Sequence, residues 1–284
     1  MSDSIAVFGA TGQQGGSVVK ALRERGLSVR ALARDPQGGR AQALRELGAQ
    51  VVAADITDPA SITSALQGID TFVFMTSMDG AGVGSEAEQG KALVDAARAA
   101  GVKRYIYNAG AASERPTQVP HFESKGEVER YITSLGLDAY FIHPVYFMDN
   151  FQNFGIDREG EELVVRLAIP AGVPLQMIGV KDIGAMTALA VVYPERLPEN
   201  FVEFAGDELT GEQMAQAVGE HFGMPARYEA LPLEVFDGAY DMQQMFRYFS
   251  SAPSYRADLL ESARLIPGLS NFKQWLRATN FELN

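Results

Sequence analysis

The chain has 284 residues, of which 46% are hydrophobic and 21% are charged, so it can bury the core of a large domain or of a domain with a smaller lobe. Its 24 Lys and Arg against 36 Asp and Glu give a net charge of −12, which disfavours nucleic-acid binding through a broad basic face. The lack of cysteine excludes disulfides, thiol nucleophiles and cysteine–zinc sites.

The first ten residues, MSDSIAVFGA, show neither the basic segment nor the long apolar segment of a signal peptide. No apolar stretch of the sequence is long enough to span a bilayer. We therefore expect a cytoplasmic protein that contacts neither a membrane nor a nucleic acid directly.

The first half alternates short apolar runs with helical patterns that end at glycines. The predicted strands are Ile5–Phe8, Ser28–Leu32, Gln50–Ala53, Thr71–Met75, Arg104–Tyr107 and Ala139–His143. The glycines expected at the helix C-termini are Gly26, Gly48, Gly68, Gly101 and Gly136. This alternation predicts an α/β fold, a doubly wound parallel sheet of Rossmann type with helices on both faces.

The strand–helix rhythm breaks after about residue 150. We predict a Rossmann domain over residues 1–155 and a smaller α+β lobe over 156–284, from which some segments return to the first domain. The segment Thr210–Gln213 has the spacing of a capping box and should begin a helix. Residues 240–276 are predicted to be mostly helical, with a Met and aromatic stripe that is either lobe core or a binding surface.

Three glycines follow the first predicted strand with the spacing GxxGxxG. Gly9 suits a tight turn, Gly12 allows a pyrophosphate to approach the backbone, and Gly15 allows close helix–strand packing. The free amides of the following helix attract phosphate, so we predict a dinucleotide site rather than a bare turn. The predicted contacts at this turn are Gly9, Thr11, Gly12, Gln13, Gln14 and Gly15.

The end of the second strand favours a phosphorylated ribose. NAD-binding proteins usually place a carboxylate there, whereas this sequence has Arg34, which suits a 2′-phosphate. The alternative is a solvated arginine, and the neighbouring Asp35 weakens the signal. We predict NADP(H) as the cofactor, with Arg40 as a second candidate contact.

The third and fourth strands end in further candidates for cofactor contact. Asp55 and Ile56 are predicted to meet the adenine, although Asp55 is also a candidate cap of the next helix. Thr76 and Ser77 follow the fourth strand at the same edge of the sheet. The glycines of residues 79–84 suggest a mobile loop.

Several segments in order resemble the NmrA-like family, an atypical branch of the short-chain dehydrogenase/reductases. They are FGATGQQGG, ARDP, EQGKALVDAARAAGV, HFESKGEVERYI, HPVYFMDNF and MFRYFS, which together span most of the chain. The likeness is strongest to family members described as NADPH sensors, and another branch contains NADPH-dependent reductases of quinones and dyes.

The resemblance implies a lysine that binds the nicotinamide ribose, and it matches Lys125. Short-chain dehydrogenases place a tyrosine four residues earlier, where this sequence has His121, and a serine or threonine where it has Asn108–Gly110. These departures put ordinary carbonyl reduction in doubt. His121 is either a general acid or a polar residue of the cleft. By resemblance, four residues lie against the nicotinamide: Pro144, Val145, Tyr146 and Phe147.

Two functions follow from this reading. The sequence favours an NADP(H)-binding redox sensor that acts through a protein partner, with a homodimer left open. The alternative is an NADPH-dependent reductase of a quinone-like or other conjugated acceptor. No metal site is expected, because the three histidines are scattered and no cysteine is present.

Overall fold

The computed structural model describes residues 4–77 and 83–279, with the backbone alone at 83 and 84. The chain forms two compact units. The first takes Met1–Arg115, His121–His143 and Ile183–Val202, and the second takes Pro116–Pro120, Pro144–Asp182 and Glu203–Asn284. The sequence predicts one boundary at residue 155, whereas compactness depends on contacts between distant segments and divides the chain in several places.

The strands and helices follow one another along the whole chain. In order they are β1 (Ile5–Val7), α1 (Gln13–Glu24), β2 (Val29–Ala33), α2 (Gly39–Glu46), β3 (Gln50–Ala53), α3 (Pro59–Ala65), β4 (Thr71–Met75), α4 (Val83–Ala99), β5 (Arg104–Asn108), α5 (Pro120–Ser134), β6 (Asp138–Pro144), β7 (Tyr146–Phe147), β8 (Ile156–Glu159), β9 (Glu162–Leu167), β10 (Leu175–Ile178), α6 (Val180–Val192), β11 (Phe201–Phe204), β12 (Asp207–Leu209), α7 (Gly211–Phe222), β13 (Ala226–Ala230), α8 (Tyr240–Phe249), α9 (Leu259–Leu265) and α10 (Phe272–Ala278).

The first unit is built on a seven-stranded sheet in the order β11-β6-β5-β4-β1-β2-β3. The five pairings among β1 to β6 are all parallel, which confirms the predicted doubly wound fold. The strand order reverses beside β1, which lies between β2 and β4. In open parallel sheets a crevice forms at the carboxyl ends of the strands at such a reversal. The glycine turn after β1 therefore lies where a nucleotide is expected.

Aromatic side chains from two neighbouring strands fill one face of this sheet. Phe72 of β4 is opposite Tyr105 of β5, and Phe74 is opposite Tyr107. The rings of Phe74 and Tyr107 stack with centroids 4.7 Å apart. All four are fully buried, because a parallel sheet covered by helices hides both faces from water. This packing fixes the ends of β4 and β5, which carry site residues.

The second unit contains two small sheets, β12-β10-β7 and β13-β9-β8. Thr210 and Gln213 form the predicted capping box at the start of α7, each bonding the other's backbone N–H. In α8, Met245, Phe246 and Phe249 are buried, so most of the Met and aromatic stripe is core of this unit. Three helices between residues 240 and 278 confirm the predicted helical end of the chain.

Candidate functional site

The turn between β1 and α1 has the geometry of a phosphate cradle. Gly9 has φ +75°, a conformation that residues with a side chain rarely adopt, and its carbonyl accepts from the Gly12 N–H at 3.0 Å. A methyl group at Gly15 would lie 2.2 Å from the Gly9 carbonyl oxygen. No side chain caps the N-terminus of α1, so its first amides are available to an anion.

The polar residues of this turn differ in exposure. Thr11 and Gln14 are half-buried and Gln13 is exposed. The Nε2 of Gln14 is buried and, among the described residues, has no hydrogen-bond acceptor. A buried amide donor without an acceptor is costly, which is consistent with a ligand that supplies one.

The end of β2 leaves a cation exposed and ties its acidic neighbour into a turn. Arg34 is exposed and makes no ion pair within the described part of the chain. Asp35 Oδ1 accepts from the Gln37 N–H at 3.0 Å, and its other oxygen lies against Gly38. The carboxylate that weakened the sequence prediction is thus engaged locally. Arg40, the other basic candidate, is exposed in the first turn of α2.

Asp55, at the end of β3, organises a turn rather than a helix cap. Its Oδ1 accepts from the Thr57 N–H at 2.9 Å and from the Thr57 hydroxyl at 2.8 Å. These hydrogen bonds from Thr57, with a smaller effect of the Arg34 charge, lower the pKa of Asp55. The alternative of an Asp55 cap was wrong, because Asp58 caps α3 through the N–H groups of residues 60 and 61. Ile56 is half-buried against the core.

A buried carboxylate that the sequence analysis missed lies beside the end of β4. Glu86 of α4 is fully buried. Its Oε1 accepts from the Thr76 hydroxyl at 2.9 Å, and its Oε2 accepts from the Ser124 hydroxyl at 2.5 Å. Its Oε1 also pairs with the ammonium group of Lys125. We call Thr76, Glu86, Tyr107, Ser124 and Lys125 the Glu86 cluster, since the Tyr107 hydroxyl lies 2.9 Å from Thr76 Oγ1.

This cluster changes what the predicted residues after β4 can offer a ligand. The Thr76 hydroxyl is already a donor to Glu86, so its backbone and methyl group remain for other contacts. Ser77 is exposed. The predicted glycine loop of residues 79–84 lies outside the described residues, apart from the backbone of 83 and 84.

Lys125 and His121 lie four residues apart on α5 and so share one helix face. The Lys125 side chain is 14% exposed. His121 is half-buried, and its ring packs edge-on against Phe122 with centroids 4.5 Å apart. Asn108 of β5 is buried, and its Oδ1 accepts from the Thr187 hydroxyl at 2.8 Å. Asn108 is therefore part of the core packing.

His143, at the end of β6, belongs to a buried charged group. Its Nε2 lies 2.9 Å from Glu129 Oε1, and its Nδ1 lies 3.4 Å from Glu114 Oε2. Burial alone would lower the pKa of His143, but the charge of Glu129 and the hydrogen bonds that the imidazolium donates to Glu114 and Glu129 raise it to about 9. Burial opposes ionisation of Glu114, yet hydrogen bonding to His143 and the Arg115 charge lower its pKa to about 2. The Ser113 hydroxyl donates to Glu129 at 2.6 Å.

The four residues predicted to face the nicotinamide belong to the second unit. Pro144, Val145 and Tyr146 are buried and Phe147 is half-buried. Burial raises the pKa of Tyr146 well above its ordinary value, so its hydroxyl stays protonated at neutral pH. The contact of these residues with a cofactor stays a prediction.

The described residues contain no group of three or more His, Asp or Glu side chains that could hold a metal ion. Among the helices of residues 4–77 and 83–279, none is long and apolar enough to cross a membrane.

Known proteins share both the sequence and the fold. A sequence model of the NmrA-like family matches residues 1–276. An NAD(P)H azoreductase of Xenophilus azovorans is 30% identical over 235 residues, which covers 81% of this chain and 78% of that protein.

Two solved structures illustrate the likeness of fold. NmrA, a negative transcriptional regulator in complex with NADP, has a TM-score of 0.83 at 19% identity, covering 98% of this chain and 95% of that chain. The NADPH-dependent quinone oxidoreductase QOR2 of Escherichia coli, complexed with NADPH, has a TM-score of 0.81 at 23% identity, covering 98% and 100%. With a family match over nearly its whole length, this chain belongs to the NmrA-like family.

Proposed function

We propose that this chain binds NADP(H) and is an NADPH-dependent reductase of quinone-like or azo-type conjugated acceptors. One arrangement in the first unit carries the proposal. Arg34 follows β2, the glycine turn follows β1, and Lys125 is joined through Glu86 to the end of β4. These three strands are neighbours in the order β4-β1-β2, so the cations flank the glycine turn along one edge of the sheet.

The residues present fit a dinucleotide with a 2′-phosphate. The first amides of α1 would bind the pyrophosphate where Gly12 carries no side chain, and Gln14 would donate its unused N–H to it. Arg34 would bind the 2′-phosphate, and Asp55 would face the adenine. Lys125 would donate to the hydroxyls of the nicotinamide ribose. The bound cofactor would supply a hydride to the acceptor.

The residues at the usual proton-donating positions favour acceptors that need no strong acid. His121 stands in place of the tyrosine, and Asn108, whose Oδ1 accepts from the Thr187 hydroxyl, offers an amide in place of the serine hydroxyl. A quinone that accepts a hydride becomes a hydroquinone anion, which takes its proton from water. Simple ketones give a far more basic alkoxide and need a positioned acid. We therefore expect quinone-like acceptors to be reduced and simple ketones to be poor substrates.

The named activities of relatives support this order of candidates. A relative of 30% identity over most of the chain is an NAD(P)H azoreductase, and a similar structure is a quinone oxidoreductase. These two activities motivate the choice of a quinone and an azo dye as the acceptors to be tested with this chain.

A redox sensor is the second candidate, the one that the sequence alone favours. The replacement of the catalytic tyrosine and serine by His121 and Asn108 suits a protein that binds NADP(H) without turnover. The fold likeness to a transcriptional regulator bound to NADP is consistent with it. Such a protein would change its affinity for a protein partner, or for a second copy, with the redox state of the cofactor.

Anaerobic NADPH oxidation distinguishes the two candidates. The purified chain is mixed with NADPH and, separately, a benzoquinone, an azo dye and cyclohexanone, and the nicotinamide absorbance is followed. The reductase proposal predicts many turnovers per chain with the first two, and at least about tenfold slower turnover in Lys125→Met. Tight NADPH binding without turnover on any acceptor would contradict the reductase and favour the sensor.

A further inference from the structure

The Glu86 cluster has a defined direction of hydrogen bonding. The Thr76 hydroxyl has one proton, and it donates that proton to Glu86 Oε1. The Tyr107 hydroxyl must then be the donor to Thr76 Oγ1. Burial raises the pKa of Tyr107 well above its ordinary value, so this hydroxyl keeps its proton. Donors in series polarise one another and strengthen the bond to the carboxylate.

The cluster fixes Glu86 from several elements at once. Thr76 follows β4, Tyr107 lies in β5, Ser124 lies in α5, and the carboxylate itself comes from α4. Both carboxylate oxygens accept hydrogen bonds. Its partner Lys125 sits on a four-carbon stem with many rotamers and lies partly exposed. Glu86 is thus held in place by other residues, whereas the position of the Lys125 ammonium group depends on its ion pair with Glu86.

We propose that Glu86 is a positioning residue that holds the Lys125 ammonium group ready for the nicotinamide ribose. The inference rests on the proposed function, because the contact of Lys125 with the ribose is part of that proposal. An ammonium group has three N–H donors, and Glu86 takes one, which leaves two for the ribose hydroxyls. Without Glu86, the Lys125 side chain would lose conformational entropy when the cofactor binds. With Glu86, the side chain is already ordered before binding, so this entropy loss no longer weakens the affinity.

The alternative is that Glu86 only stabilises the fold. Breaking a buried ion pair leaves an uncompensated charge and weakens the whole unit. If Glu86 were purely structural, its replacement would therefore weaken the binding of every ligand of the first unit alike. If Glu86 positions Lys125, its replacement would weaken the binding only of ligands that reach Lys125.

Two probes separate these roles. NADPH contains the nicotinamide ribose, whereas adenosine 2′,5′-bisphosphate contains only the adenosine end with its 2′-phosphate. Calorimetric titration measures both dissociation constants for wild type, Glu86→Gln, Lys125→Met and the double variant. Glu88→Gln is the matched control, since Glu88 lies on the same helix and its side chain is 73% exposed. Urea unfolding and circular dichroism monitor the fold of each variant.

The proposal predicts a selective loss. Glu86→Gln should weaken NADPH binding by about tenfold and change bisphosphate binding by less than about twofold. The double variant should bind NADPH no more weakly than Lys125→Met, because Glu86 acts through Lys125. Glu88→Gln should behave as wild type.

Other outcomes overturn it. Equal weakening of both probes, or NADPH binding unchanged or tighter in a folded Glu86→Gln, would refute the positioning role. If Glu86→Gln does not fold, Ser124→Ala serves as the second variant, because it removes one hydrogen-bond donor to the carboxylate. It should weaken NADPH binding by a few-fold and leave bisphosphate binding unchanged. An unselective Ser124→Ala would refute the proposal. Wild type that binds neither probe would instead refute the proposed function, and the inference would fail with it.

Discussion

The buried charge of His143 should make the stability of the chain depend on pH. Its imidazole is fully buried between Glu129 and Glu114, and its pKa is raised from 6.5 to about 9. At about 1.4 kcal/mol per pKa unit, this rise corresponds to about 3 kcal/mol of folding free energy. The substitution His143→Gln removes the titrating charge and keeps a polar side chain of similar size.

The sign follows from the direction of the shift. A raised pKa means that the folded state binds the proton more tightly than the unfolded state does. The contribution of His143 is therefore complete below the unfolded pKa of about 6.5, and it is lost as the pH rises through about 9. The free energy of unfolding of wild type should exceed that of His143→Gln most at pH 6.

Urea unfolding between about pH 6 and pH 10 measures this difference directly. We expect the gap between wild type and His143→Gln to shrink by about 3 kcal/mol over this range. The control His221→Gln, on α7 of the second unit, should keep the pH dependence of wild type. Parallel curves for wild type and His143→Gln would refute the assignment of a buried imidazolium to this site.

Two further predictions concern the cradle and the second unit. Gly15→Ala should lower stability by about 1–3 kcal/mol and weaken NADPH binding, because its methyl group would lie 2.2 Å from the Gly9 carbonyl oxygen. Gly16→Ala is the control, because its methyl group would lie no closer than 3.4 Å to a neighbouring atom. Equal losses of stability and NADPH affinity in the two variants, measured by calorimetry, would contradict this account. Asp149→Ala should shift the fluorescence of Trp275, the single tryptophan, because Asp149 Oδ2 accepts from its indole N–H at 3.2 Å. It should also cost about 1–3 kcal/mol in urea unfolding, and an unchanged spectrum would contradict the contact.

Features set by local backbone geometry could be read from the sequence. The glycines expected at helix ends, such as Gly26 and Gly136, have positive φ values, and the capping box of Thr210 and Gln213 forms as predicted. Each depends on residues within one turn of helix. The parallel sheet also follows from the spacing of apolar runs, since buried strands and amphipathic helices alternate.

Contacts between distant segments could not be read in the same way. Glu86 lies seven residues before Leu93 on the apolar face of α4, so the helical pattern could have indicated its burial. Its partners Thr76 and Ser124 lie 10 and 38 residues away, and the pattern does not show them. The two carboxylates around His143, those of Glu114 and Glu129, also come from separate segments.

Short polar turns were also ambiguous in sequence. Asp55 and Asp58 both precede α3, and the cap is the later of the two. Asp35 stood beside Arg34 as a competing signal until the structure showed its carboxylate bonded to the Gln37 N–H. In both cases a shift of a few residues along the turn decides which side chain reaches a backbone amide and which is left for a ligand.

The central claim is that the first unit binds NADP(H) with its 2′-phosphate on Arg34, and paired titrations with NADPH and NADH test it most directly. An exposed guanidinium about 4 Å from a phosphate group with a charge of nearly −2 should increase the affinity for NADPH by about 10- to 30-fold. Wild type should prefer NADPH by about that factor, and Arg34→Ala should lose the preference by weakening NADPH alone. Lys20→Ala, which removes an exposed cation of α1, should keep the preference. Equal affinity of wild type for the two cofactors, or an unchanged preference in Arg34→Ala, would contradict the claim.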